Sequence, residues 1–314
     1  MSFQPNADHD PASNWVGIDL GGTGIKAGRL SPTGDGRKRA EAKTLVHEGP
    51  EAVVARMAQL ARELGVQDHL GVGVPGLVDQ EAGVIRKSPN LAPLEDYPLR
   101  HALAKELGLD ANRVHIENDA CVAAIGEHWL GGARGLSNVM MVTLGTGVGG
   151  GLILAGDLFT RSSGLAAEIG HVVVDPTGAR CGCGNLGCLE VLASATAAER
   201  RAKEAGLGED LVDICERARN GETACTSLLS AVGMDLGRGL AGVMMLLDLD
   251  AFLIGGGFGA ALDLLREGIL DGLVERTYGR AREDLRLLPA ELGADAGWIG
   301  AAKLGSDLHG SSAD

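Results

Sequence analysis

Between Glu168 and Glu190 the chain reads EIGHVVVDPTGARCGCGNLGCLE, with Cys181, Cys183 and Cys188 in a C-x-C-x4-C cluster and His171 ten residues upstream of the first thiol. Three thiolates and an imidazole are a structural zinc set, because Zn2+ favours sulfur and nitrogen ligands and closed tetrahedral sites. Gly182, Gly184 and Gly187 let the backbone turn tightly about an ion. The spacing differs from the common C-x2-C knuckles, and the competing readings are a chance cluster or a redox-active one. Glu168 and Glu190 flank the cluster, and zinc ligation gives neither a role.

Two glycine-rich segments suit phosphate. The apolar run Trp15 to Leu20 leads through Asp19-Leu-Gly-Gly-Thr-Gly24 into a second run, Ile25 to Leu30, which reads as strand, turn, strand. Gly21, Gly22, Thr23 and Gly24 can aim amides and a hydroxyl at a phosphate, Asp19 can hold Mg2+ or its waters, and Lys26 adds a charge. The alternative is an ordinary hairpin. Asn138 to Leu154 repeats the design around Leu144-Gly-Thr-Gly-Val-Gly-Gly-Gly151, with Gly145, Thr146 and Gly147 at the turn. The repeat implies a duplicated architecture with one phosphate hairpin in each lobe. Gly145, Gly147 and Gly150 also fit G-x-G-x-x-G, but a strand follows where the dinucleotide fingerprint requires a helix, so an NAD-dependent dehydrogenase ranks last. A third cluster, Gly255, Gly256 and Gly257, follows the buried strand Ala251 to Ile254 and lets backbone lie against a planar or phosphorylated ligand.

One carboxylate stands where open α/β sheets bind ligands. The strand Val114 to Glu117 ends in Asn118-Asp119, and the helix Ala120 to Leu130 follows. Asp119 is either the cap of that helix or a general base, and residue types leave both open. Asn90, in the irregular loop Ser88 to Leu94, is either a polar ligand contact or a turn residue.

The remaining elements supply the frame. Glu51 to Leu64 has apolar residues at 53, 54, 57, 60 and 64, one face of an amphipathic helix. Strands are expected over Leu70 to Val74, Val84 to Arg86, Val172 to Val174 and Leu285 to Leu288. Helices are expected over Tyr97 to Leu107, Ser194 to Ala205, Leu211 to Arg219, Thr226 to Leu247 and Ala260 to Tyr278, with a closing one from Gly297. At 314 residues the chain exceeds one ordinary core, so two lobes are the default. A net charge of -14 argues against nucleic-acid binding, which relies on basic patches. The polar N-terminus is no secretory signal. No uninterrupted apolar run reaches transmembrane length, the best candidate, Leu240 to Leu253, being cut by Asp248 and Asp250. A soluble cytoplasmic protein without membrane contact follows, and its reduced thiols favour metal over disulfide. Cys121, Cys215 and Cys225 are expected to be buried as small apolar residues.

The motifs DLGGTGIK, GVGVPGLVD, ENDA, LGTGVGGG, EIGH with CGCGNLGCLE, and IGGG occur in this order over nearly the whole chain, which resembles the ROK family (repressors, open reading frames and kinases) and within it the glucokinase-like sugar kinases. DLGGT alone is shared by the wider actin-like ATPase superfamily. The resemblance implies an α/β, two-lobed actin-like ATPase (ribonuclease H-like) fold with the ligand cleft between lobes. The lobes would be an N-terminal one over residues 15–118, with a C-terminal helix 297–308 packing back on it, and a larger one over 119–296 containing the zinc loop, after a disordered tail 1–14. It implies ATP-dependent phosphorylation of the 6-hydroxyl of an aldohexose, glucose first, with Asp119 as the base. Asn90, Asn118, Glu168, His171 and Glu190 would contact the sugar, and His171 would also ligate zinc. The two hairpins and Gly255 to Gly257 would hold ATP, with Mg2+ near Asp19, in a homodimer or homotetramer. The alternatives are another hexose or an N-acetylhexosamine as acceptor, polyphosphate as donor, or a non-catalytic sugar-sensing repressor relative. Against the repressor, only about fourteen residues precede the first strand, where the family's repressors carry a helix-turn-helix. Asn90-Leu91 continues as Ala-Pro-Leu rather than toward the Trp common in the family's glucokinases, which leaves the sugar open.

Overall fold

A computed structural model describes residues 14–160 and 164–307. The expected disordered tail lies outside the described residues apart from Asn14, as does residue 308 of the expected closing helix. The chain divides into two compact units, one formed by Met1–Arg134, Thr160–Ala166 and Ala294–Asp314, the other by Gly135–Phe159 and Ala167–Gly293.

In the first unit the strands are β1 (Trp15–Leu20), β2 (Gly24–Leu30), β3 (Lys38–Lys43), β4 (Leu70–Val74), the hairpin β5 (Leu77–Asp79) and β6 (Val84–Lys87), and β7 (Val114–Asn118). The main sheet has the order β3-β2-β1-β4-β7, with β1, β4 and β7 parallel and β2 antiparallel to both of its neighbours. Side chains alternate across it, as strand geometry requires. Val16, Ile18, Leu70, Val72, Val114 and Ile116 join a core with Val53, Met57 and Leu60 of α1 (Pro50–Glu63) and Leu99 and Leu103 of α2 (Leu99–Leu107). The polar strand β3, KRAEAK, went unrecognised in the sequence because it is an edge strand with no fully buried residue.

The opposite face is floored by glycine. A Cβ on Gly17 would lie 2.0 Å from the Trp298 carbonyl oxygen, one on Gly71 1.7 Å from that of Ala301, and one on Gly73 2.5 Å from Val122 Cγ2. The sheet therefore meets the C-terminal helix, Ala296–Asp307, and α3 (Asp119–Leu130) at backbone distance. Those two helices meet each other as closely, a Cβ on Gly126 falling 2.5 Å from Ala296 O and one on Gly300 1.6 Å from Val122 O. This packing places α3 in the first unit, so the division falls after Arg134 and not after residue 118.

The second unit repeats the topology. Its strands β8 (Val139–Leu144), β9 (Val148–Leu154), β10 (Asp157–Leu158), β11 (Ala251–Gly255) and β12 (Leu287–Pro289) take the order β10-β9-β8-β11-β12. Again an antiparallel three-strand meander is extended by two parallel strands, the duplication that the two glycine hairpins suggested. Its helices are α4 (Glu190–Ala193), α5 (Ala195–Glu204), α6 (Leu211–Arg219), α7 (Thr223–Leu247) and α8 (Leu262–Arg276).

At 25 residues α7 is long and apolar enough to span a bilayer by length and composition, with Asp235 and Arg238 interrupting its apolar run. Half of its most apolar window is buried in this unit. Its Gly233 and Gly237 would place a Cβ 2.3 Å and 2.1 Å from the Leu265 and Ile269 carbonyls of α8, and Gly268 and Gly272 of α8 return the same contact to Ser230 and Met234. Small residues on both partners allow so close an approach, and the apolar length of α7 is used against α8 and the core.

Candidate active site

In the first unit the β1–β2 turn is closed by the Gly21 amide donating to Gly24 O at 2.9 Å and by Thr44, whose buried hydroxyl donates to Gly21 O at 2.6 Å while its amide bonds Thr23 O at 3.1 Å. Thr44 was not found by sequence reasoning, because it lies beyond β3 and nothing in its surroundings marks it. Thr23 is exposed, and Asp19 and Lys26 are half-buried cross-strand neighbours. Burial pushes the Asp19 carboxyl up and the Lys26 ammonium opposes this. Asn90, exposed in the 3-10 turn Pro89–Leu94, backs onto the same hairpin, where a Cβ on Gly22 would lie 3.2 Å from its Cβ.

The helix cap is Asn118, not Asp119. Asn118 Oδ1 accepts from Ala120 N at 2.9 Å and Cys121 N at 3.2 Å, and its Nδ2 donates to Gly76 O at 3.0 Å. Asn preceding a helix satisfies its first free amides in this way. Asp119 is then the first helical residue, half-buried, with Oδ1 accepting from Ala120 N at 2.8 Å. A carboxylate there is stabilised by the helix N-terminus. Glu117, just before it, is 3% exposed, and burial pushes its carboxyl up to about 7 against the pull of the Asn118 amide and the Thr160 hydroxyl. In the strand VHIEN, where polar His115 and Asn118 also stand, nothing in the sequence marks Glu117 as the buried acid.

In the second unit the four candidate metal ligands come together. His171, Cys181, Cys183 and Cys188 offer ligand atoms all within 4.8 Å of one another. Cys181 Sγ lies 3.6 Å from His171 Nδ1, and Cys183 Sγ lies 3.6 Å from Cys188 Sγ. Tetrahedral bonds of about 2.3 Å to sulfur set ligand atoms roughly 3.5–4 Å apart, so the donors fit the ion in type and spacing. The segment Val172 to Val174 is not the expected strand. His171 ends a 3-10 turn, Ile169–His171, and Val173 makes only an isolated bridge to Cys188. The amides of Val174 and Asp175 both turn onto Gly187 O, which bends the chain around the thiols instead of extending it.

Glu168 and Glu190 stand at this cluster. Glu168 Oε2 lies 3.9 Å from His171 Nε2, the ring nitrogen opposite the one facing Cys181. Burial pushes the Glu168 carboxyl up, with His171 lowering and Glu190 raising it further. Glu190 Oε1 lies 3.7 Å from Cys181 Sγ, and its Oε2 accepts from Val148 N at 3.3 Å. A Cβ on Gly147 would sit 2.4 Å from that same Oε2, so the second hairpin, Gly145-Thr146-Gly147, is a direct neighbour of the cysteine loop. Gly256, at φ +81°, abuts Leu144 O, where a Cβ would come to 2.3 Å, and brings Gly255 to Gly257 beside that hairpin. The expected residues thus gather in two groups. Asp19, Gly21 to Gly24, Lys26, Asn90, Asn118 and Asp119 belong to the first unit, and Gly145 to Gly147, Glu168, His171, Cys181, Cys183, Cys188, Glu190 and Gly255 to Gly257 belong to the second.

Duplicated five-stranded α/β units, each with a glycine hairpin, define the actin-like ATPase architecture. The ROK family profile matches residues 15–307, and the chain belongs to the ROK family. It is 35% identical to the glucokinase of Thermotoga maritima over 94% of this chain and 98% of that one. It is 32% identical to an N-acetylmannosamine kinase of Haemophilus influenzae over 91% of this chain and 93% of the other. A ROK family glucokinase from Streptomyces griseus, solved in complex with glucose and AMPPNP, superposes with a TM-score of 0.77 at 33% identity, covering 93% of this chain and 99% of that one.

Proposed function

We propose that this protein is an ATP-dependent sugar kinase that phosphorylates the 6-hydroxyl of an aldohexose, glucose foremost, with Asp119 as the general base. The observation that carries the reading is the Asp119 carboxylate, held at the first turn of α3 by the Asn118 cap. It takes the proton of the sugar hydroxyl as that oxygen bonds to the γ-phosphorus and the bond from phosphorus to the β,γ-bridging oxygen breaks, releasing ADP. Amides and the hydroxyl of Gly21 to Gly24, and those of Gly145 to Gly147, receive phosphate oxygens, and Gly255 to Gly257 lie along adenosine. Asp19, with Lys26 beside it, would hold Mg2+, which supplies charge neutralisation on the phosphates. Asn90, Asn118, Glu168, His171 and Glu190 hydrogen-bond sugar hydroxyls, and the carboxylates can each accept from adjacent hydroxyls. Zinc on His171, Cys181, Cys183 and Cys188 would fix the loop that carries Glu168 and Glu190. In support, a relative from Streptomyces griseus is named as a complex with glucose and an ATP analogue.

A second acceptor class, N-acetylhexosamines, is favoured by the relative named N-acetylmannosamine kinase. Sugar-phosphate formation across glucose, mannose, fructose, N-acetylglucosamine and N-acetylmannosamine, with ATP or polyphosphate as donor, tests the reading. Turnover fastest with glucose and ATP is expected. The absence of phosphoryl transfer to every sugar would overturn the kinase reading.

A further inference from the structure

We propose that Glu117 is a positioning residue for proton transfer, its buried carboxyl locking the corner between β7 and α3 so that Asp119 is presented in one orientation; this rests on the reading of Asp119 as base. On β7, Val114 and Ile116 enter the apolar core, whereas Glu117 points to the opposite face, in register with Gly73. On that face Gly17 and Gly71 pack under helix backbone, and Gly73 packs under the Val122 side chain. An apolar side chain would fill the place without the desolvation of a carboxyl, so packing alone does not call for Glu here.

Its oxygens bind three separate segments. Oε1 accepts from the Asn118 amide at 2.7 Å, and Oε2 accepts from Gln80 Nε2 and, at 3.5 Å, from the Thr160 hydroxyl. Gln80 is itself anchored. It opens the β5–β6 turn, where Gly83 N bonds Asp79 O at 2.8 Å and Ala82 N bonds Asp79 Oδ1 at 2.9 Å, and Arg100 donates to the carbonyls of Gln80 and Glu81. The carboxyl is therefore tied to a rigid hairpin. What it holds in turn is the last peptide of an edge strand, and through that peptide the Asn118 cap and the Asp119 side chain bonded to Ala120 N. A rotation of this peptide would swing both residues.

The test compares Glu117→Ala and Glu117→Gln with wild type. Loss of the clamp should lower kcat about 100-fold in E117A, as expected for an ångström-scale misplacement of a reacting group. E117Q keeps the volume and an oxygen for the Asn118 amide, so its kcat should stay within about threefold of wild type. The KM for ATP should change by less than about twofold in both, because uniform binding is untouched. Hydrogen exchange gives a readout independent of turnover, the Asn118 amide exchanging about tenfold faster in E117A and at the wild-type rate in E117Q. If E117A does not fold, the double variant Gln80→Ala with Thr160→Val removes the anchors and should lower kcat in the same direction. A folded E117A with wild-type kcat, or with a protected Asn118 amide, overturns the proposal, as does an E117Q as impaired as E117A. If wild-type protein phosphorylates no sugar, the kinase reading falls and the exchange experiment alone decides whether Glu117 holds the corner.

Discussion

Glu117 also makes a prediction about stability that needs no substrate. Its carboxyl has an ordinary value of 4.5 and is pushed up to about 7, chiefly by burial. Between those values the folded protein keeps a proton that the unfolded chain has released. The native state therefore binds more protons, and stability falls as pH rises. The contribution is fully present below 4.5 and is lost as pH rises through about 7. Linkage over a shift of about 2.5 units corresponds to roughly 3 kcal/mol in all, of which about 2.5 kcal/mol falls between pH 5 and pH 8. Glu117→Gln is neutral throughout and lacks this term, while it shares every other titrating group with wild type. The difference in unfolding free energy, variant minus wild type, should thus grow in favour of the variant by about 2–3 kcal/mol from pH 5 to pH 8. Urea unfolding followed by a probe in the first unit, at half-unit pH intervals, measures it. Curves that stay parallel within about 0.5 kcal/mol would show that burial does not hold the proton on Glu117, and the reasoning would fail.

Asp119→Asn should reduce kcat by about 100- to 10,000-fold in the ADP-release assay while leaving the thermal midpoint unchanged, since Asn118 supplies the cap. Cys183→Ser, or chelation of the wild-type protein, should remove bound zinc measured by plasma mass spectrometry and expose residues 175–189 to proteolysis, because structural zinc binding is worth on the order of 10 kcal/mol. Gly71→Ala should destabilise the first unit by about 3 kcal/mol, its Cβ falling 1.7 Å from the Ala301 carbonyl oxygen. Gly242→Ala in α7, where a Cβ meets nothing within 4 Å, should instead stabilise the second unit by about 0.5–1 kcal/mol, both read from denaturant midpoints.

Much of the architecture was legible in the sequence because its signals are local. Apolar runs mark β1, β2, β4, β8 and β9, all but β8 broken by glycine, and the matching glycine turns of the two hairpins announced a duplication that the matching strand orders bear out. Thiol spacing and one upstream imidazole sufficed to pick out four donors that the fold brings together, since they are close in the chain. Other features depend on geometry that residue types leave open. Whether Asn118 or Asp119 caps α3 turned on which side chain reaches the free amides. The assignment of α3 to the first unit turned on glycine contacts with a helix more than 160 residues away. The run Val172 to Val174 has strand propensity, but two amides drawn to one carbonyl at Gly187 bend it around the thiols. Glu117 shows the division most clearly. Its residue type was plain in the sequence, whereas its burial, its raised pKa and its three partners exist only once β7, the β5–β6 turn and Thr160 come together.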